Sequence, residues 1–305
     1  MRAKHRFEVA SARIGCHSSF KILPARRARL TILLTSLLLC TSAEGQAAEL
    51  KKVTVEAFNR YAARTEARHQ HETSGAGPFL WADSLPELQR KAVFESLRQG
   101  KTVMERLKAL DGGKEIEIPS GLVHHWVALA FVPGATTQQA AELVLDYDGH
   151  AQRYAPDVEQ SLLTRRDGNC YHAAMRFRKK KIITVVTDAE FEACPFAVSG
   201  TRATIVSRST RIVEVDNAGQ PNQRQLPEGR DGGYLWRLNT YWRFEAKDGG
   251  VYLQCETITL TRDIPWGVAW LVRGFVESIP RESITFTMEK TRAALGARPA
   301  AAPRP

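Results

Sequence analysis

The sequence predicts an α+β fold: about seven antiparallel strands closed by one long C-terminal helix, with a helical region ahead of the sheet. Three observations predict it. From Gly121 onward apolar residues recur with period two, in runs at 121–132, 158–166, 170–178, 181–193, 202–215, 234–246 and 251–262. Short reversals join the runs, so neighbours are expected to pair antiparallel. Asp167-Gly168-Asn169 and Asp248-Gly249-Gly250 supply residues that tolerate positive φ, and Arg178 to Lys181 is a brief charged turn. Residues 265–295 then read as helix, with Pro280 and Glu282 in first-turn positions and Ile284, Met288, Thr291 and Leu295 on one face.

Residues 1–48 read as a secretory signal peptide. Arg26, Arg27 and Arg29 precede an eleven-residue apolar run, Leu30 to Cys40, and small residues follow, with cleavage expected after Ala43, Ala47 or Ala48. Eleven residues make roughly 16 Å of helix, about half of a bilayer core and too short for a permanent span. Lipid attachment at Cys40 is disfavoured by Leu39, where a small residue belongs. Of the formal net charge of +10, +6 sits in residues 1–48, so the remaining chain gives no support to nucleic-acid binding. Export places the protein in a secreted or periplasmic compartment, where disulfides persist. Cys170 and Cys194 lie at opposite ends of a hairpin and can bridge; the alternative is that they and Cys255 are three small buried hydrophobes.

Residues 49–118 read as a helical extension covering the sheet, because they hold few aromatics and only a modest apolar stripe. Helices are expected at 52–71 and 85–110, parted by Gly75-Ala76-Gly77-Pro78, with Ser84-Leu85-Pro86-Glu87 starting the second and Gly100 interrupting it. After the first strand, Pro133-Gly134-Ala135 leads into a helix over 136–145 with Ala140, Leu143 and Val144 on one face, then a shorter turn from Tyr147 to Tyr154. Residues 297–305 read as a disordered tail.

Strand, two short helices, six strands and a closing helix is a known order. With the local text Gly121-Leu122-Val123-His124-His125-Trp126, Val132-Pro133-Gly134-Ala135-Thr136 and Tyr147-Asp148-Gly149-His150, residues 119–296 resemble the START-like, polyketide-cyclase-like (SRPBCC) helix-grip superfamily. The resemblance implies a curved sheet around the last helix and a cavity for sterols, fatty acids, polyketides or similar apolar molecules. It carries no catalytic position across.

Alternation along 234–244 puts Tyr234, Trp236, Leu238, Thr240, Trp242 and Phe244 on one face and Leu235, Arg237, Asn239, Tyr241 and Arg243 on the other. The aromatic face either packs under helices or lines a cavity through Trp236 and Trp242. A turn at 248–249 sets Arg243 beside Gln254 or Tyr252, and Tyr241 beside Glu256. Facing water, this polar face carries surface pairs contributing at most about 1 kcal/mol each. Facing a cavity, Arg237, Tyr241 and Glu256 orient a ligand carboxylate or hydroxyl. Two loops are candidates for gating: the polar stretch Asn217 to Gly233, and the apolar Trp266 to Val272, whose Trp270 is buried, closes the pocket mouth or touches a membrane transiently.

The sequence contains no His-Glu-x-x-His, paired Cys-x-x-Cys, phosphate loop or Gly-x-Ser-x-Gly elbow, so neither a metal nor a cofactor is expected. His124 and His125 are adjacent on a strand, point to opposite faces and cannot chelate one ion together. The expected function is an exported carrier or binding protein for a hydrophobic small molecule or lipid. The competing readings are an aromatase/cyclase-like enzyme using the same cavity, with Arg237, Tyr241 or Glu256 at a polyketide carbonyl, and an interaction module without a ligand.

Overall fold

A computed structural model describes residues 48–181, 183–264 and 269–297, with backbone alone for 269–277. The expected signal peptide, Cys40, Trp266, the side chain of Trp270 and the tail beyond 297 lie outside the described residues. In chain order the strands are β1 (Ala48–Glu49), β2 (Val103–Arg106), β3 (Leu110–Asp111), β4 (Lys114–Glu115), β5 (Gly121–Pro133), β6 (Val158–Asp167), β7 (Cys170–Lys180), β8 (Thr184–Ser199), β9 (Arg202–Asp216), β10 (Arg224–Gln225), β11 (Arg230–Asp231), β12 (Arg237–Lys247) and β13 (Gly250–Arg262). The α-helices are α1 (Lys52–Thr73), α2 (Glu87–Arg98), α3 (Thr137–Leu145), α4 (His150–Arg153) and α5 (Ala269–Gly296).

The seven expected strands form one antiparallel sheet in the order β5-β13-β12-β9-β8-β7-β6, with β2 added at the free edge of β5. Turn chemistry explains the register: Asp248 and Gly249 hold φ of 56° and 74°, which fixes Arg243 opposite Gln254 and Tyr241 opposite Glu256. Several boundaries differ from the sequence reading, and the strand expected at 181–193 runs from Thr184 to Ser199. The second helix ends at Arg98, because Gly100 turns the chain at φ 80°, and Val103–Arg106 then takes up the open hydrogen bonds of β5 instead of continuing the helix. The strand expected from residue 234 begins at Arg237.

The closing helix α5 lies on one face of the sheet, here the inner face. Its Ile284, Met288 and Leu295 join Trp242, Phe244, Ile205, Leu253 and Cys255 in a single core, sealed at one end by Ala140, Leu143 and Val144 of α3. The outer face is covered by the N-terminal elements. Phe58 and Tyr61 of α1 pack on Tyr241, Ile258 and Leu260, while Phe79, Leu80 and the α2 residues Phe94 and Leu97 pack on Val127, Leu129, Phe131 and Tyr252. The sheet is therefore buried on both sides over its central strands.

Cys170 and Cys194 are joined in a disulfide between the paired strands β7 and β8, with Cα atoms 4.2 Å apart. Closing a loop of 24 residues, the bridge contributes about 3 kcal/mol through the unfolded state. Cys255 is a buried free thiol whose pKa burial pushes well up, which keeps it a packing residue. Among the described residues no helix is long and apolar enough to cross a membrane.

Candidate functional site

The polar face read from the sequence is real, and it is sealed beneath α1. Glu256 is fully buried and receives hydrogen bonds from three sides: His125 Nε2 at 2.7 Å, His69 Nε2 at 3.0 Å, and the Arg68 guanidinium. Tyr61 extends the chain, its hydroxyl lying 2.9 Å from His125 Nδ1 and accepting from the Ala109 N–H at 2.9 Å. Arg243, 1% exposed, pairs with Glu72 of α1 and donates to the Phe79 carbonyl at 2.5 Å. Tyr241 donates to Glu66 at 3.0 Å, and Arg208 donates to the same carboxylate at 2.8 Å.

Burial alone would raise the pKa of Glu256. The hydrogen bonds from His125 and His69 and the charges of His69 and Arg68 outweigh burial and hold the carboxyl well below the usual range. His69 goes the other way, burial pushing its pKa down against the pull of Glu256. The arrangement is a charge-matched clamp between helix and sheet. Two donors on this face, Arg243 Nε and Gln254 Nε2, are buried without a hydrogen-bond partner.

The inner face has two parts. In one row Ala128, Cys255, Trp242 and Ile205 lie side by side across four strands, each 5% exposed or less, under α5. Thr285 of α5 bonds Met104, the β2 partner of Ala128, and Gly296 sits over Val132, so α5 runs along β5 with its C-terminal end at Val132. On the side of that row away from Gly296, the chemistry changes. The next row reads Trp126, Thr257, Thr240, Ser207, Ala193 and Tyr171 in register, all half-buried except Ala193. Beyond it come His124, Thr259 and Leu238, then Ser209, Phe191 and Ala173, with Ser209 Oγ accepting from the Leu238 N–H at 2.9 Å.

These rows hold hydroxyls and aromatic rings, and the first is continued in register by Arg106 of β2 beside Trp126 and by Arg166 of β6 beside Tyr171. His124 is 3% exposed; burial, helped by the charge of Arg106, pushes its pKa down to about 4, so it is neutral near pH 7. His124 Nε2 lies 3.2 Å from Thr261 Oγ1. Thr259 Oγ1, also buried, has no hydrogen-bond partner.

Of the six residues expected to bind a ligand, Trp242 alone is seen on the inner face, in the packed row. Tyr241 and Glu256 lie on the outer face within the clamp. Trp236 does not continue the alternation of β12: Gly233, at φ 69°, reverses the chain just ahead of it, Asp231 accepts from its indole N–H at 3.0 Å, and the ring packs with the outer-face cluster. Arg237 pairs with Glu228 at 3.2 Å and donates to the Trp236 carbonyl at 2.7 Å, so it serves the same loop. Trp270 lies outside the described side chains. The sequence reading missed His124, Trp126, Thr240, Thr257 and Thr259 as a set; the signal available was the run of Thr at 257, 259 and 261, alternate positions on one strand face.

The loop 217–236 is tied at both ends of its path. Residues 224–225 pair with β9, and 230–231 pair with Ala48–Glu49. Glu214 accepts from the N–H groups of Gly232 and Tyr234 at 2.9 and 3.0 Å, and Asp231 accepts from that of Gly233 at 2.8 Å. Two buried carboxylates thus organise this segment through its own backbone.

No protein-family model matches the chain, and no curated protein matches it. Among solved structures it is similar to a STAR-related lipid transfer protein from Xanthomonas axonopodis, at 15% identity and a TM-score of 0.39 over 62% of this chain and 98% of that one. It is similar to the Zhui aromatase/cyclase of a Streptomyces species at 9% identity and a TM-score of 0.40, over 57% and 94% of the two chains. Human STARD10 aligns at 11% identity and a TM-score of 0.39, over 69% and 81%. The fold itself is α+β in a helix-grip arrangement, an antiparallel sheet with the long C-terminal helix packed on its inner face. The strand order and the closing helix are those the sequence resemblance implied, and α1 and α2 add a layer on the outer face.

Proposed function

We propose that this chain is an exported binding or carrier protein for a hydrophobic small molecule or lipid, held between the inner sheet face and the first half of α5. One observation carries the reading: the inner face is packed tightly along the Trp242 row and left half-buried at Trp126, Thr257, Thr240 and Ser207 in the next row. Such a surface, apolar walls with a few convergent hydroxyls, suits a ligand that is mostly hydrocarbon. Export is supported by the N-terminal run of Arg and apolar residues and by the cross-strand disulfide, which suits an oxidising compartment. The cyclase-like reading has no such support, because Tyr241 and Glu256 lie in the clamp and Arg237 serves the loop.

Native mass spectrometry of the protein isolated from its own host tests the proposal. The expected spectrum shows an adduct lost on denaturation and recovered in an organic extract. A bare polypeptide mass that persists after incubation with a lipid extract of the host would overturn it.

A further inference from the structure

We infer that a host signal peptidase cuts this chain between Ala47 and Ala48, and that the α-ammonium group so created on Ala48 pairs with the buried carboxylate of Asp231, locking β1 to β11. This rests on the reading that the N-terminal run of Arg and apolar residues is an export signal, and it is independent of what the inner face binds.

Asp231 is a buried anion short of a partner. It is 1% exposed, and its Oδ1 accepts from the Gly233 N–H at 2.8 Å and from the Trp236 indole N–H at 3.0 Å, while Oδ2 is buried without a hydrogen-bond partner. Burial raises its pKa against the pull of those two donors, and among the described residues no Lys, Arg or His is ion-paired with it. Its neighbour Glu214 adds a second buried carboxylate, whose pKa is raised by burial and by the charge of Asp231. Negative charge buried without a counter-charge is costly, so this corner of the fold calls for a cation.

The chain brings Ala48 to that carboxylate. The Leu50 N–H donates to the Gly229 carbonyl at 2.8 Å, Glu49 stands opposite Arg230, and Ala48 stands opposite Asp231. Residues directly opposite in an antiparallel pair have Cα atoms about 4.5–5.5 Å apart, so a charge on the Ala48 nitrogen is within reach of the Asp231 side chain. Ala48 is half-buried and packs with the outer-face cluster that holds Trp236, whose indole is bonded to the same carboxylate. In the uncut chain the Ala48 nitrogen is a neutral amide with one proton. Hydrolysis adds water across the Ala47–Ala48 bond, leaving a carboxylate on Ala47 and an ammonium with three protons on Ala48. The sequence suits this cut, because Gly45 and Ala47 place small residues at the third and first positions before it. Of the three cuts expected from the sequence, only this one sets the new charge opposite Asp231: a cut after Ala43 leaves it four residues upstream, and a cut after Ala48 leaves it on Glu49, opposite Arg230.

Intact-mass measurement and N-terminal sequencing of the protein isolated from its own host are expected to give a chain starting at Ala48. Thermal unfolding at pH 7, where a free α-amine is charged, then compares that chain with two others: the same chain acetylated at its α-amine, and one that retains Gln46-Ala47 ahead of Ala48. Both are expected to melt about 5 °C or more below the mature form, and with Asp231→Asn the three forms are expected to melt together. A start at any other residue would overturn the processing site while leaving export in place. An uncut chain would overturn the export reading, and the inference with it. Equal melting of the three forms with Asp231 present would overturn the ion pair, whether or not Asp231→Asn folds.

Discussion

Acidification from pH 7 to pH 4 is expected to destabilise the protein by several kcal/mol, with the loss beginning near pH 6.5. His124 and His150 are 3% and 7% exposed, and burial, aided by the nearby charges of Arg106 and Arg153, pushes each down to about 4 in the folded state. In the unfolded chain both titrate near 6.5. Between those values the unfolded state binds more protons, so stability falls as pH falls. The contribution of each histidine is complete above about 6.5 and approaches a loss of about 3 kcal/mol as the pH reaches 4. His69, also lowered by burial, adds to the loss in the same direction. Glu256, held below the ordinary carboxylate range, contributes fully above about 4.5 and is lost only at still lower pH. Urea midpoints measured at half-unit steps check this. A stability profile flat from pH 7 to pH 4 would contradict the burial of neutral imidazoles.

Glu256→Ala is expected to cost about 3–5 kcal/mol, because it leaves Arg68, His69 and His125 turned toward a buried site without their anion. The damage should concentrate in α1, since Arg68, His69 and the Arg243 partner Glu72 all belong to that helix. Amide exchange in residues 61–72 should therefore rise more than exchange in β12. Glu256→Gln keeps the shape and some of the hydrogen bonds but removes the charge, so its cost should fall between wild type and alanine. Chemical denaturation of both variants gives the numbers. A cost below about 1 kcal/mol for alanine would mean that the clamp is not what fixes α1 to the sheet.

Much of this fold was legible in the letters. Period-two runs located the seven strands to within a few residues, and Asp248-Gly249 set the β12–β13 register, because turn chemistry and alternation act over short distances. Ile284, Met288 and Leu295 were found for the same reason. What alternation cannot supply is which face looks inward. Arg243, Tyr241 and Glu256 share a face by arithmetic, but only the docking of α1 decides that the face is buried under a helix and turned away from the interior. The helix held the clue: Thr54, Tyr61, Thr65 and His69 form a buried stripe bearing polar atoms, with Glu66, Arg68 and Glu72 beside it, and such a stripe needs a polar partner. Val103–Arg106 escaped notice because its pairing depends on the open edge of β5, a tertiary fact with no local signal. Trp236 was misplaced because the Gly233 reversal, four residues before β12 begins, breaks the alternation.

The central claim is that a ligand lies against the Trp126–Thr257–Thr240–Ser207 row, and filling that row tests it most directly. Thr240→Trp should weaken uptake of oleyl alcohol at least tenfold while the folded circular dichroism spectrum is retained, and the smaller Thr257→Leu should weaken it less. Undiminished uptake in a folded Thr240→Trp protein would contradict the account.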